Sequence, residues 1–325
     1  MNRLSSLRRP TLTPAILAVA SAVLLAAGCS SGGGTEESKE PEVSSTPRIT
    51  DPNSFAFPLD PYLTKPDDQQ TLSKAQAELT RQCMKRFGFT YHPAPQRPTV
   101  NPFGENGLRY GVSSTQLAAK YGYGSGSGDG PDQPEAPASG AELLTGAARL
   151  AMFGKEDLKP SDLPSSQEEA EASEANNGVI AGKAVPVGGC QREAAMKVFS
   201  PRKKSLPITF TYGLMTDAWS RTRDDSRYVA VGRKWAECLK EKGYVTSPDP
   251  LTQDRDLKFT DPQSPRAITV AKADVACKEK VNLIGVAFAV ESAYQKRLVE
   301  QNAEALKQVQ QQQEEQLRLA ASLLR

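Results

Sequence analysis

Two stretches 155 residues apart share one pattern, and it limits the folds open to this chain. "CMKRFGF" starts at Cys83 and "CLKEKGY" at Cys238; each runs Cys, a long apolar residue, Lys, two more residues, Gly, then an aromatic. Each also closes an amphipathic segment. In "TLSKAQAELTRQCMKRFG" the residues Leu72, Ala75, Leu79, Cys83 and Phe87 recur at spacings of three and four, one stripe of a helix. Arg81, Lys85 and Arg86 crowd its last turns, and Gly88 followed by Phe89 is a helix stop with a hydrophobic contact. "SRYVAVGRKWAECLKEKG" repeats the theme, with Val229, Gly232, Trp235 and Cys238 or Leu239 on one face, Gly243 as cap and Tyr244 next. Cysteines at the ends of two helices predict a mainly α, disulfide-stapled helical domain.

Which chemistry those thiols perform depends on compartment. Arg3, Arg8 and Arg9 precede an apolar run from Ala15 to Ala27, with no acidic residue among them. A basic stretch before a short apolar run is the pattern of a secretory leader, too short for a typical membrane span. "LAAGC" has the form of a bacterial lipobox, with Ala27 and Gly28 before Cys29, the thiol that would be acylated. The expected location is therefore the outer face of the cytoplasmic membrane, with the bilayer held through the lipid on Cys29. "RRPTL" has a faint twin-Arg character, although two arginines are ordinary in a leader. Removing residues 1–28 lowers the formal net charge from +2 to −1, so no basic stripe argues for nucleic acid. "LIGVAFAV" (Leu283 to Val290) is the most apolar later run and is too short to span a bilayer.

Outside the cytoplasm the remaining cysteines, Cys83, Cys190, Cys238 and Cys277, read first as disulfides. They stand 107, 48 and 39 residues apart, without the close pairs of a zinc site or a CxxC redox motif. Each half holds a cysteine near a helix end and a second just ahead of another helical stretch, "GGCQREAAMKVF" and "ADVACKEKVNLIG". The echo favours Cys83–Cys190 and Cys238–Cys277, with the other two pairings open.

Along the chain, residues 29–60, rich in Ser, Gly, Glu and Pro, read as a disordered tether. Residues 61–293 form the helical body, with loose inserts near 122–140 and 160–178. "SSTQLAAKYGY" and "GAELLTGAARLAMFG" each hold a short helix, and "ITFTYG" has the composition of a short strand. From Ser264, a natural N-cap with Pro265 behind it, a helical pattern runs to the end with Gly285 as its only breaker. Sixty helical residues would be about 90 Å long, twice the roughly 45 Å diameter of such a body. Residues 294–325 are therefore expected to protrude. The seam Leu298, Asn302, Ala305, Val309, Gln312, Gln316, Leu319, Leu323 is that of a coiled coil or of a Gln-rich solvated helix.

Other chemistry is thin. His92, the only histidine, sits in "YHPAP" and reads as a loop residue without a triad partner. Glu237/Glu241 and Glu291/Glu300 fall on helix faces read as solvated and salt-paired. "GSGSGDG" lacks the strand and helix that flank a phosphate loop. Trp235 reads as packing on the Cys238 staple, and Trp219 carries no reading. No catalytic residue, metal or cofactor is expected.

Taken with "GGC", "AKADVACKEKVNL" and "VESAYQKRLVEQNAEAL", the lipobox and paired cysteine motifs make the chain resemble a group of uncharacterised actinobacterial secreted lipoproteins. The resemblance implies an address and an architecture, with accessory roles in envelope or export systems. It brings no catalytic residues. The favoured expectation is a non-enzymatic envelope binding or scaffold protein that meets a partner, or itself, through 294–325. A substrate-binding or accessory lipoprotein of a transporter is the alternative, although such proteins are usually two α/β lobes. An extracellular hydrolase built on a carboxylate pair comes third.

Overall fold

The computed structural model describes residues 39–49, 51–93, 106–124, 144–173 and 177–325. The leader, Cys29, the start of the tether and most of the insert near 122–140 lie outside these. Residues 41–325 form one unit; residues 39 and 40 belong to a separate N-terminal one.

The first half is built on α1 (Pro66–Arg86), α2 (Thr115–Tyr121), α3 (Gly146–Phe153), α4 (Gln167–Ala172) and α5 (Gly189–Phe199). A two-stranded antiparallel ribbon, β1 (Val179–Ile180) and β2 (Lys183–Ala184), precedes α5, with Val179 opposite Ala184. The second half holds α6 (Phe210–Asp224), α7 (Ser226–Glu241), α8 (Gln253–Leu257), α9 (Pro265–Val281), α10 (Leu283–Gln301) and α11 (Ala303–Leu323). α1 packs on α3, α5 and α11, while α7 packs on α6, α9 and α10, and α2 lies against α9.

The repeated motif is a repeated helix stop. α1 opens on Pro66 with Asp67 and Asp68 in its first turn and closes on Lys85 and Arg86, charges that suit each end of the helix dipole. Gly88 takes φ 86°. Its N–H donates to Lys85 O at 2.9 Å, and Phe89 N–H donates to Met84 O at 3.0 Å. α7 ends the same way: Gly243 has φ 87°, and Gly243 and Tyr244 donate to Lys240 O and Leu239 O, both at 3.0 Å. These paired bonds define a Schellman cap, which needs a left-handed residue that glycine supplies at least cost.

Both cysteine pairs sit at these ends. Cys83 is bonded to Cys190 with 5.5 Å between Cα atoms, and Cys238 to Cys277 with 5.7 Å, both ordinary disulfide separations. The first joins α1 to α5 inside a cluster with Met84, Phe87, Ala151, Met152 and Val185. The second joins α7 to α9 inside the largest cluster, with Trp235, Leu239, Tyr228, Leu283 and Ala287.

Four expectations change. The tether read over 29–60 does not extend to its stated end: Phe55, Phe57 and Leu59 are buried, and Val43 and Ile49 pack on the core. Three large apolar residues in five positions give this segment something to bury, which the preceding Ser/Gly run lacks. Second, "ITFTYG" is no strand: Ile208 and Thr209 form a turn, and Phe210 to Gly213 are the first turn of α6. Third, the C-terminal segment does not break at Gly285, which lies inside α10. A Cβ there would collide with the Pro47 carbonyl oxygen, so glycine lets the N-terminal strap cross the helix. The breaks fall at Asn282, whose φ is 56° in the left-handed region that Asn tolerates, and at Asn302.

Fourth, residues 294–325 do not protrude. α11 turns back at Asn302 and lies on α1, where Leu72, Ala75 and Val198 meet Ala320, with Leu79, Leu317 and Leu323 around them. The stripe used inside the chain is offset from the expected seam: it shares Gln316 and Leu323 with that seam but adds Leu306, Leu317 and Ala320. In α11 the most buried side chains are Leu306, Gln316 and Ala320.

Candidate functional site

Buried charge is gathered into structural networks, and an open groove lies apart from them beside the C-terminal helix. Glu291 is the centre of the first network. It was expected on a solvated face, yet it is 0% exposed. Arg109 donates to it through Nε at 3.0–3.1 Å and through its terminal nitrogen. Tyr110 Oη donates at 2.8 Å and Gln295 Nε2 at 2.9 Å. Gln295 Oε1 in turn accepts from Leu59 N at 3.2 Å, and the Arg109 guanidinium lies 4.3 Å from the Phe57 ring centre. The network ties the strap and the 106–112 loop to α10. Every lone pair of the carboxylate is engaged, so Glu291 is a structural anion. Burial, with this carboxylate beside it, pushes the Tyr110 phenol well up. Glu237 and Glu300 are exposed, and Glu241 pairs with Lys280 at 3.4 Å, as the salt-paired reading expects.

The second network lies under the Cys238–Cys277 staple. Asp274 accepts from Trp235 Nε1 at 2.8 Å, Tyr123 Oη at 3.3 Å and Lys278 Nζ at 3.2 Å. Lys278 also donates to Val112 O at 2.8 Å. Lys278, 1% exposed, is the interior charge that the motif "ACKEK" conceals. Burial pushes the Asp274 carboxyl up and the Lys278 ammonium down. Trp219, without a sequence reading, fills the space between Tyr110 and Tyr228 at 5.6 and 5.8 Å between ring centres.

A third, smaller cluster flanks the other staple, where Glu193 takes hydrogen bonds from Arg86 and Lys197. His92 is exposed at the edge of the described residues. Among the described residues no group of three or more His, Cys, Asp or Glu stands close enough to hold a metal ion.

The groove is of another kind. A cavity of about 190 Å³ opens between the start of α1, the loop leading into α6, and α11. Leu72, Phe199, Leu206 and Val309 give it an apolar floor, and Tyr62 and Tyr212 line its sides. Glutamines from α11 hold its walls. Gln312 Nε2 donates to Leu206 O at 2.9 Å while its Oε1 accepts from Leu206 N at 3.0 Å. Gln313 Nε2 donates to Tyr62 O at 3.0 Å. The Gln run that reads as a solvated helix is thus the lace that fixes two loops to α11. Ile208 and Tyr212 stand exposed at the mouth. No Asp, Glu, Lys or Arg lines the cavity. Sequence reasoning missed it because its residues come from segments about 240 positions apart, which no local pattern joins.

No family model matches the chain, and no curated protein or solved structure matches it either.

Proposed function

We propose that this chain is a lipid-anchored protein of the outer face of the cytoplasmic membrane, a non-enzymatic binding or scaffold component related to actinobacterial secreted lipoproteins. One observation carries the reading: all four cysteines of the body are paired at bonding distance, in a chain whose N-terminus reads as a leader ending "LAAGC". Disulfides persist where thiols oxidise, so the staples and the leader support the same compartment. The non-enzymatic part rests on a single histidine and on a buried Glu291 whose oxygens are all engaged. Association through 294–325, where it occurs, uses the outward side of α11, since the inward side lies on α1. The cavity beside α11 favours binding over pure scaffolding, and gives the transporter-accessory alternative a helical rather than two-lobed form.

Metabolic labelling with a fatty-acid analogue, followed by membrane fractionation, tests the anchor. The chain should take up label and sediment with membranes, and Cys29→Ala should abolish the labelling. An unlabelled wild-type chain with four free body thiols would overturn the proposal.

A further inference from the structure

The cavity beside α11 contains one buried polar side chain that the fold does not use. Gln316 is 6% exposed and lines the cavity, and its carboxamide makes no hydrogen bond to another described residue while its amide atoms still reach solvent. Its neighbours Gln312 and Gln313 are both tied to loop backbone. Water therefore serves the carboxamide, and a molecule that enters the cavity must replace that water with its own donor and acceptor. The carboxamide is placed to meet something that enters.

We propose that this cavity binds a small uncharged molecule with a flat or branched apolar body and an amide-like end, paired to Gln316. The chemistry follows from the lining. A carboxamide offers a donor and an acceptor side by side, and a ligand satisfies both only if it offers an acceptor and a donor in return, as a primary amide or lactam does. A carboxylate has acceptors alone, and it would lose its hydration with no cation on the wall to replace it. The apolar body lies on Leu72, Phe199 and Val309, and Tyr212 and Ile208 close around it at the mouth. Size follows from volume. A 150 Å³ apolar cavity engineered in another protein accepts benzene, so about 190 Å³ takes roughly ten non-hydrogen atoms. This inference rests on the binding part of the reading above and not on the anchor.

Benzamide, benzoate and toluene separate the contributions. Each is titrated against the full-length oxidised chain, and the methyl resonances of Leu206, Ile208 and Val309 are followed. Benzamide should shift all three and bind at least about tenfold more tightly than benzoate or toluene. Gln316→Leu should erase the preference for benzamide over toluene while keeping or raising the melting temperature. Ile208→Lys, at a position 60% exposed and outside the core, should weaken benzamide and toluene alike. Equal binding of the three probes, an unchanged preference in Gln316→Leu, or no shift at these methyls would overturn the proposal. Such a result on a chain that labels at Cys29 removes the ligand and leaves the anchor standing.

Discussion

At the scale of single residues, interior charge is the feature that decides stability. Glu291 has four donors on it from three side chains and is wholly buried. Glu291→Ala leaves the largely enclosed Arg109 guanidinium, 18% exposed, without its partner. The expected loss is about 3–5 kcal/mol in chemical denaturation. Replacing Arg109 as well, as Arg109→Met with Glu291→Leu, should recover part of it, since the cost lies in the uncompensated charge. Glu193 behaves differently with pH. Burial pushes its carboxyl up, but hydrogen bonds from Arg86 and Lys197 outweigh that and hold it below its usual 4.5. A carboxyl lowered on folding contributes stability above its unfolded value, and that contribution is lost as pH falls through the folded value. Thermal melts should therefore decline below about pH 4.5. Glu193→Gln should flatten that decline, and an unchanged slope would remove the assignment. Neither buried carboxylate is recognisable from sequence, because a Glu on a helix looks solvated until the element that covers it is known.

At the scale of elements, the legible part is the helix stop and the illegible part is what lies over it. "CMKRFGF" and "CLKEKGY" encode cation, cap and aromatic locally, within one turn, so their Schellman ends follow from the residues alone. The pairing of cysteines was readable only as an echo between halves. Gly285 shows the limit: in sequence it is a breaker, whereas in the fold it is the contact that lets Pro47 cross α10. Asn282 and Asn302 make the breaks instead, and Asn in a helical run gives a far weaker signal than Gly. Two predictions belong here. Gly243→Ala should cost about 1 kcal/mol by placing a side chain at φ 87°. Gly285→Ala should cost about 1–3 kcal/mol through the clash with the strap. In limited proteolysis Gly285→Ala should also expose the 41–60 segment, whereas Gly243→Ala should not. Equal protection of that segment in both variants would show that the strap does not depend on the crossing.

At the scale of the whole molecule, sixty helical residues in line would overhang the body, and the chain avoids this by turning back at Asn302. A rod of about 90 Å would form only if no partner inside the chain took a face of this helix. α1 is that partner, since its stripe of Leu72, Ala75 and Leu79 would otherwise face water. The α11 seam is apolar at some positions and glutamine at others because it meets both a helix and two loop backbones. Since one side of α11 covers α1, the proposed association between chains falls to the outward side, and point variants can separate the two. Ala320 is fully buried against α1, so Ala320→Arg should destabilise the body by about 3 kcal/mol or more in denaturant. Lys307 is exposed on the outward side, so Lys307→Glu should alter stability by no more than about 0.5 kcal/mol. Sedimentation velocity on the Lys307→Glu chain then reports association alone. If α11 mediates self-association, this variant should sediment as a smaller species than the wild type while melting at the same temperature. If Ala320→Arg instead left the melt unchanged, α11 would not be a wall of the body, and both the covered stripe on α1 and the cavity it helps enclose would have to be redrawn.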